Sequence, residues 1–255
     1  MSRRHLKLTL EYDGTDFAGW QRQAPPSRTV QATVEEAIAR MIGEEACLFG
    51  AGRTDAGVHA RAQVASFFTS RAIPLVGVRK GLNALLPADV AVVNVEEVSE
   101  SFDARRDARG KHYAYRIWNR ATRSPLHART SWHVFRPLEL AAMRRAAAHL
   151  VGEHDFSAFR ATACDRLNPV RTMRSVEIVE EPPYLIRIDL KATAFLRYMV
   201  RVIAGTLVEV GLGQRTPESV ADALVSRDRT RAGRTAPPHG LTLEAVLYDA
   251  SSKRL

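Results

Sequence analysis

Apolar and polar residues alternate from Leu6 to Tyr12, with Leu6, Leu8, Leu10 and Tyr12 set against Lys7, Thr9 and Glu11. A period of two is that of a strand with one buried face. Asp13-Gly14 then marks a turn. Val30, Val34, Ala37, Ile38 and Met41 recur at helical spacing, with Thr29 placed to cap the start and Gly43 to stop the end. Residues 47–51 and 62–69 read as strands, 75–86 as a helix ending before Pro87, and 90–98 as an apolar, β-rich strand. The order is β-α-β-β-α-β, the ferredoxin-like arrangement.

The second half alternates in the same way. Residues 112–118 predict a strand, 138–151 a helix, and 170–179 with 184–192 a hairpin about Pro182-Pro183. A long helix is expected over 195–211, a shorter one over 217–225 and a closing strand over 241–248. These elements predict an α+β protein of two ferredoxin-like subdomains, residues 1–104 and 105–255. Their antiparallel sheets are expected to join, with the active-site cleft between them. The polar stretch 103–111, with Arg105, Arg106, Arg109 and Lys111, is the expected boundary. The Arg- and Pro-rich stretch 227–238 is expected to be a mobile loop.

Composition narrows the function classes. In 255 residues, 45% are hydrophobic and 25% charged, the balance of a soluble globular protein. No apolar run reaches membrane-spanning length, and the basic start lacks the apolar core of a signal peptide, so a cytoplasmic protein is expected. Cys47 and Cys164 stand far apart, which argues against a disulfide framework or a cysteine zinc site. The histidines show no metal-binding spacing, and Asp13-x-x-Asp16 lacks the rest of a calcium loop, so no metal is expected. Lys plus Arg total 37 against 28 acidic residues, a net charge of +9, and arginine far outnumbers lysine. Guanidinium groups bind phosphates bidentately and stack on bases, so this excess suits a nucleic acid, although an arginine-rich codon bias produces the same composition.

The sharpest local feature is Gly52-Arg53-Thr54-Asp55-Ala56-Gly57-Val58-His59, a charged core flanked by glycines between two predicted strands. Such a loop can hold Arg53 and Asp55 in fixed directions, or can be a tight connection carrying a solvated ion pair. An ordered series of further segments accompanies it. These are Glu11-Tyr12-Asp13-Gly14, Gly19-Trp20-Gln21-Arg22-Gln23, Val30-Gln31, Asn83-Ala84-Leu85-Leu86-Pro87 and Phe102-Asp103-Ala104-Arg105. Tyr113-x-Tyr115, Asp155-Phe156-x-x-Phe159 and Phe195-x-x-x-Met199-Val200-Arg201 complete it. Together they resemble the tRNA pseudouridine synthase A family over nearly the whole chain. One departure is Arg234, where a proline is common in the family.

The resemblance implies an isomerase that acts on tRNA at uridines 38 to 40 of the anticodon arm, works as a homodimer and needs no cofactor. It makes Asp55 the catalytic residue, Tyr113 the substrate-contacting tyrosine and Arg201 the cation that opposes protonation of the carboxylate. An aromatic ring can stack on an extruded base. On pattern, Arg197 is expected four residues before Arg201 on the same helical face. Tyr115 is expected to be an ordinary strand residue and His59 a packing residue. Arg53 is expected to hold the flipped nucleotide or to form an ion pair in its loop. Trp20, Arg22, Arg105 and Arg106 are expected to face RNA. Two other readings remain at this point. A non-catalytic RNA-binding module would suit the fold. A glycoside-cleaving enzyme would need a second working carboxylate, which the loop does not offer.

Overall fold

The structure, a computed structural model, describes residues 3–162 and 167–249. Cys164 lies outside the described residues, and Cys47 is an exposed free thiol. Two compact units emerge: Met1–Arg109 with Leu243–Leu255, and Gly110–Thr242. No helix among the described residues is long and apolar enough to cross a membrane.

The first unit begins with β1 (Arg4–Tyr12), α1 (Val30–Ile42), β2 (Phe49–Gly50), β3 (His59–Thr69), α2 (Leu75–Leu85) and β4 (Val90–Val98), the expected β-α-β-β-α-β order. The chain continues through β5 (Ala108–Asn119), β6 (Trp132–Val134), α3 (Leu140–Ala148) and β7 (Gly152–Asp155). It then forms β8 (Val170–Glu181), β9 (Leu185–Ala192), α4 (Met199–Gly211), α5 (Ser219–Ser226) and β10 (Leu241–Tyr248).

In the first unit β1 is central, antiparallel to both β3 and β4, with β10 next to β3 and β2 paired to β3. Leu6, Leu8 and Leu10 are fully buried, which stabilises this sheet by about 1.5–3 kcal/mol for each side chain. The polar face of β1 is covered too. His5 stacks on Phe68 at 3.9 Å, and buried Lys7 pairs with Glu96 at 2.7 Å. Thr29 caps α1 by accepting the Ala32 N–H, and Gly43 ends it at φ 75°, as the sequence requires. In the second unit the order is β5-β9-β8-β7 with antiparallel pairing, and β6 runs parallel to β5. Helix α3 packs on α4 and on β8.

Several expectations need correction. The long helix begins at Met199, not at residue 195, because Tyr198 sits at φ 64°, ψ −1°. A residue in that left-handed region cannot lie inside a right-handed helix. Arg197 therefore precedes α4 and does not share a helical face with Arg201. The strand expected over 47–51 shrinks to two residues, and β6 and β7 appear where no strand was read; pieces this short carry too little periodicity to show. Stretch 227–238 is tied down instead of loose. Arg229 binds the Gly233 carbonyl and Thr235 Oγ1, and Arg215 binds the Arg231 and Ala232 carbonyls.

Trp20 is also corrected. It is buried, at 2% exposure, and unavailable to RNA in this structure. Its indole lies over Gly50, where an added Cβ would come within 2.7 Å of Nε1. A rigid buried ring has no room to yield, so Gly50→Ala is expected to destabilise the protein by about 1–3 kcal/mol. Urea unfolding should show a lowered midpoint at unchanged slope; an unchanged midpoint would refute this packing role.

Candidate active site

Asp55 lies on a loop held by backbone contacts. Trp20 N–H donates to the Thr54 carbonyl at 3.1 Å, and Gly57 N–H donates to the Phe17 carbonyl at 3.3 Å. Val58 N–H closes a turn onto the Asp55 carbonyl at 3.2 Å; Gly57 within it has φ 75°, a conformation that favours glycine. Gly14 makes the closest approach: a Cβ there would stand 2.0 Å from the Val58 carbonyl oxygen. Segment 12–20 and loop 52–58 thus interlock backbone to backbone.

Side chains complete the clamp. The Tyr12 hydroxyl and Thr54 Oγ1 are 2.8 Å apart, and both residues are buried. Burial pushes the Tyr12 phenol up to about 12, so it stays protonated at neutral pH. Gln63, fully buried, donates to the Gly52 carbonyl at 3.1 Å. His59 Nδ1 accepts the Gly14 N–H at 3.1 Å. Asp13 Oδ1 lies equally near that nitrogen, at 3.1 Å. Gly14 N–H and the Asp13 carboxylate thus converge on one ring nitrogen. Asp13 Oδ1 also accepts from Thr15 N and Oγ1, the local turn expected of Asp13-Gly14. Asp55 is half-buried and Arg53 exposed.

In the second unit Tyr113 and Tyr115 are two residues apart on β5 and share one face of the sheet. Tyr113, 7% exposed, meets Phe195 edge-on at 5.1 Å between ring centroids. Tyr115 is fully buried and donates its hydroxyl to the Pro237 carbonyl at 2.8 Å. Burial raises its phenol far above the ordinary tyrosine range, against the opposing pull of Arg201 and Arg234. Arg201 is half-buried on the first turn of α4. Its Nε donates to the Ala236 carbonyl at 2.8 Å, while Ala236 N–H donates to the Arg201 carbonyl at 3.0 Å. The guanidinium lies 4.7 Å from the Tyr198 ring centroid, and that of Arg197 lies 5.1 Å from it. Gly205 permits this docking: a Cβ there would strike the Arg234 carbonyl oxygen at 1.9 Å.

The remaining site candidates occupy different settings. Arg22 donates from Nε to Glu35 at 2.7 Å and is half exposed. Arg105 and Arg106 are exposed, their backbone N–H groups bound by Asp103 Oδ1; Arg106 also pairs with Asp103 at 3.0 Å. Three features escaped sequence reasoning. The Tyr12–Thr54 and Gln63–Gly52 bonds join residues far apart in sequence, and an aromatic residue in the left-handed region, as Tyr198 is, has no local signal.

Comparison with known proteins agrees with the resemblance. The family model described as tRNA pseudouridine synthase matches residues 9–106 and 146–249. A protein of Myxococcus xanthus called tRNA pseudouridine synthase A is 53% identical over 95% of this chain and 91% of its own. One of the same name from Geobacter sp. strain M21 is 50% identical over 96% of this chain and 99% of its own. Among solved structures, the archaeal box H/ACA sRNP Nop10–Cbf5 complex is only distantly similar. It has 15% identity and a TM-score of 0.34, covering 78% of this chain and 45% of that one. With the matches covering most of the chain at about half identity, the chain belongs to the tRNA pseudouridine synthase family and is an isomerase.

Proposed function

We propose that this enzyme isomerises uridine to pseudouridine at positions 38 to 40 of the tRNA anticodon stem-loop, with Asp55 as nucleophile and without a cofactor. The observation that carries the reading is the clamped Gly-Arg-Thr-Asp loop. A nucleophilic carboxylate must be held in one place, and backbone bonds and close glycine contacts hold this one. The reaction breaks the bond between ribose C1′ and uracil N1, joins C1′ to C5, and releases the C5 proton. Nothing is oxidised and no group is imported. Asp55 supplies the electron pair, and Arg201 supplies positive charge to the reaction. Tyr113 stacks on the extruded uracil and excludes water. Arg53 holds the flipped nucleotide through phosphate or ribose. Arg22, Arg105 and Arg106 contact the RNA backbone, which positions the RNA without reading its sequence. The family resemblance extends the reading to a homodimer working in the cytoplasm. Sedimentation that finds only monomer, with and without tRNA, would overturn the dimer.

Release of tritium from tRNA labelled at uracil C5 tests the chemistry. Asp55→Asn should bind tRNA within a few-fold of the parent yet lose about 10³-fold or more in label release. Free uracil as product would indicate a hydrolase, and binding without release by the unaltered enzyme a non-catalytic module. Arg201→Met should abolish isomerisation and keep most of the affinity; full activity in that variant rules out its role.

The two tyrosine variants separate stacking from proton transfer. Tyr113→Phe should retain tRNA binding, while Tyr113→Ala should weaken it by about 1–3 kcal/mol, the worth of one base–aromatic stack. Equal losses in both would refute a purely stacking role.

A further inference from the structure

Tyr115 shares the sheet face of Tyr113, yet its hydroxyl turns to another task. The segment after Arg234 contains Pro237 and Pro238, which have no backbone N–H to offer. At those two positions only the carbonyls can be anchored. The Ala236 peptide is spent on Arg201, donating to its carbonyl and accepting from its Nε. The adjoining Pro237 carbonyl accepts from Tyr115 Oη at 2.8 Å. Farther on, the chain closes over the same ring, since a Cβ on Gly240 would lie 2.7 Å from Tyr115 Cζ. The phenol is thus grasped at 237 by its hydroxyl and at 240 by its ring. Trp132 meets it edge-on at 6.3 Å and carries Arg234 at 4.6 Å from its centroid.

We propose that Tyr115 is a positioning residue for isomerisation, fixing the guanidinium of Arg201 through the Pro237 carbonyl and the Ala236 peptide. The inference rests on the reading that Arg201 serves the reaction. The path is short: one hydrogen bond, one covalent peptide link and one reciprocal pair of hydrogen bonds. Buried Tyr115 has no rotational freedom to spare, so its hydroxyl acts as a fixed post. A phenylalanine in its place keeps the packing and loses the post. The freed carbonyl then moves to find another donor, taking Ala236 and the Nε contact with it. Because a displacement of about 1 Å can cost about 10²-fold in rate, the loss should fall on turnover instead of affinity.

Tyr115→Phe should lower kcat for tritium release by about 10- to 100-fold and leave tRNA affinity within about twofold of the parent. Its direct readout is the Arg201 Nε–H resonance in ¹⁵N NMR, assigned by its loss in Arg201→Lys. In the parent that proton should exchange slowly, and in Tyr115→Phe it should exchange fast. Gly240→Ala, which pushes the segment off the ring and leaves Tyr115 intact, should give the same two changes. In an Arg201→Lys background, Tyr115→Phe should reduce any residual turnover by less than about twofold, because the contact it supports is already gone. An unchanged Nε–H in Tyr115→Phe, or an unchanged kcat, overturns the proposal. If Arg201→Met retains full activity, the role of Arg201 fails. If Arg201→Met is inactive and Tyr115→Phe is not, only the role of Tyr115 fails.

Discussion

The interlock between segment 12–20 and loop 52–58 is the constraint on which the proposed chemistry depends. A carboxylate used as a nucleophile loses rate steeply with misplacement, and a short loop on its own would wander. Here the holding groups are mainly peptide N–H and C=O, from Phe17, Trp20, Thr54 and Gly57. Peptide groups cannot rotate away as side chains can. The device requires glycine at Gly14 for closeness and at Gly57 for a left-handed turn. Tyr12 and Gln63 hold the same loop from the sheet, so loop 52–58 is continuous with the buried core of β1 and β3.

The second unit meets a similar demand by different means. Its loop carries prolines, which offer no N–H to a ladder, so side chains do much of the holding. Thr206 accepts Gly233 N–H, Glu209 accepts Arg234 N–H, and Arg215 locks Glu209 at 2.6 Å. All of these anchors stand on α4 or just after it. One helix therefore presents Arg201 and also carries the loop that fixes Arg201. The left-handed turn at Tyr198 sets where that helix begins, at a cost of about 1–2 kcal/mol in local strain. The ring of Tyr198 has two guanidinium groups near it, at 5.1 and 4.7 Å from its centroid.

Most of the regular structure was legible because its signals are local. Alternation marked β1, an apolar, β-rich run marked β4, and caps marked both ends of α1. The glycine-flanked Asp55 loop was legible for the same reason. What escaped was set by distant partners. Trp20 looks like a free aromatic until Gly50, thirty positions away, supplies the bare backbone that covers it. The 227–238 stretch looks loose until its partners on α4 are known. Tyr198 breaks the helical pattern of 195–211 without any change in residue type. Local propensity yields there to tertiary contact.

The 37 cations of the sequence are not equally available once the arginines are placed. Arg4 is taken up by Glu97, Arg28 by Asp89 and Arg215 by Glu209, each within about 3 Å. Cations already neutralised by carboxylates add little to phosphate attraction, so a count of arginines overstates the surface offered to RNA. Arg22 is held on a buried carboxylate. Glu35 is buried and also accepts from Leu48 N–H and Gln31 Nε2, so it is a fixed acceptor. Arg22 gives it Nε–H alone. A guanidinium has five donors in a planar fork. Holding one of them on Glu35 orients the other four. Arg105 and Arg106 have no comparable buried anchor. They are exposed side chains on a turn that Asp103 ties through the backbone. The arginines thus divide into structural pairs, a guanidinium oriented by a buried carboxylate at Arg22, and exposed side chains at 105 and 106.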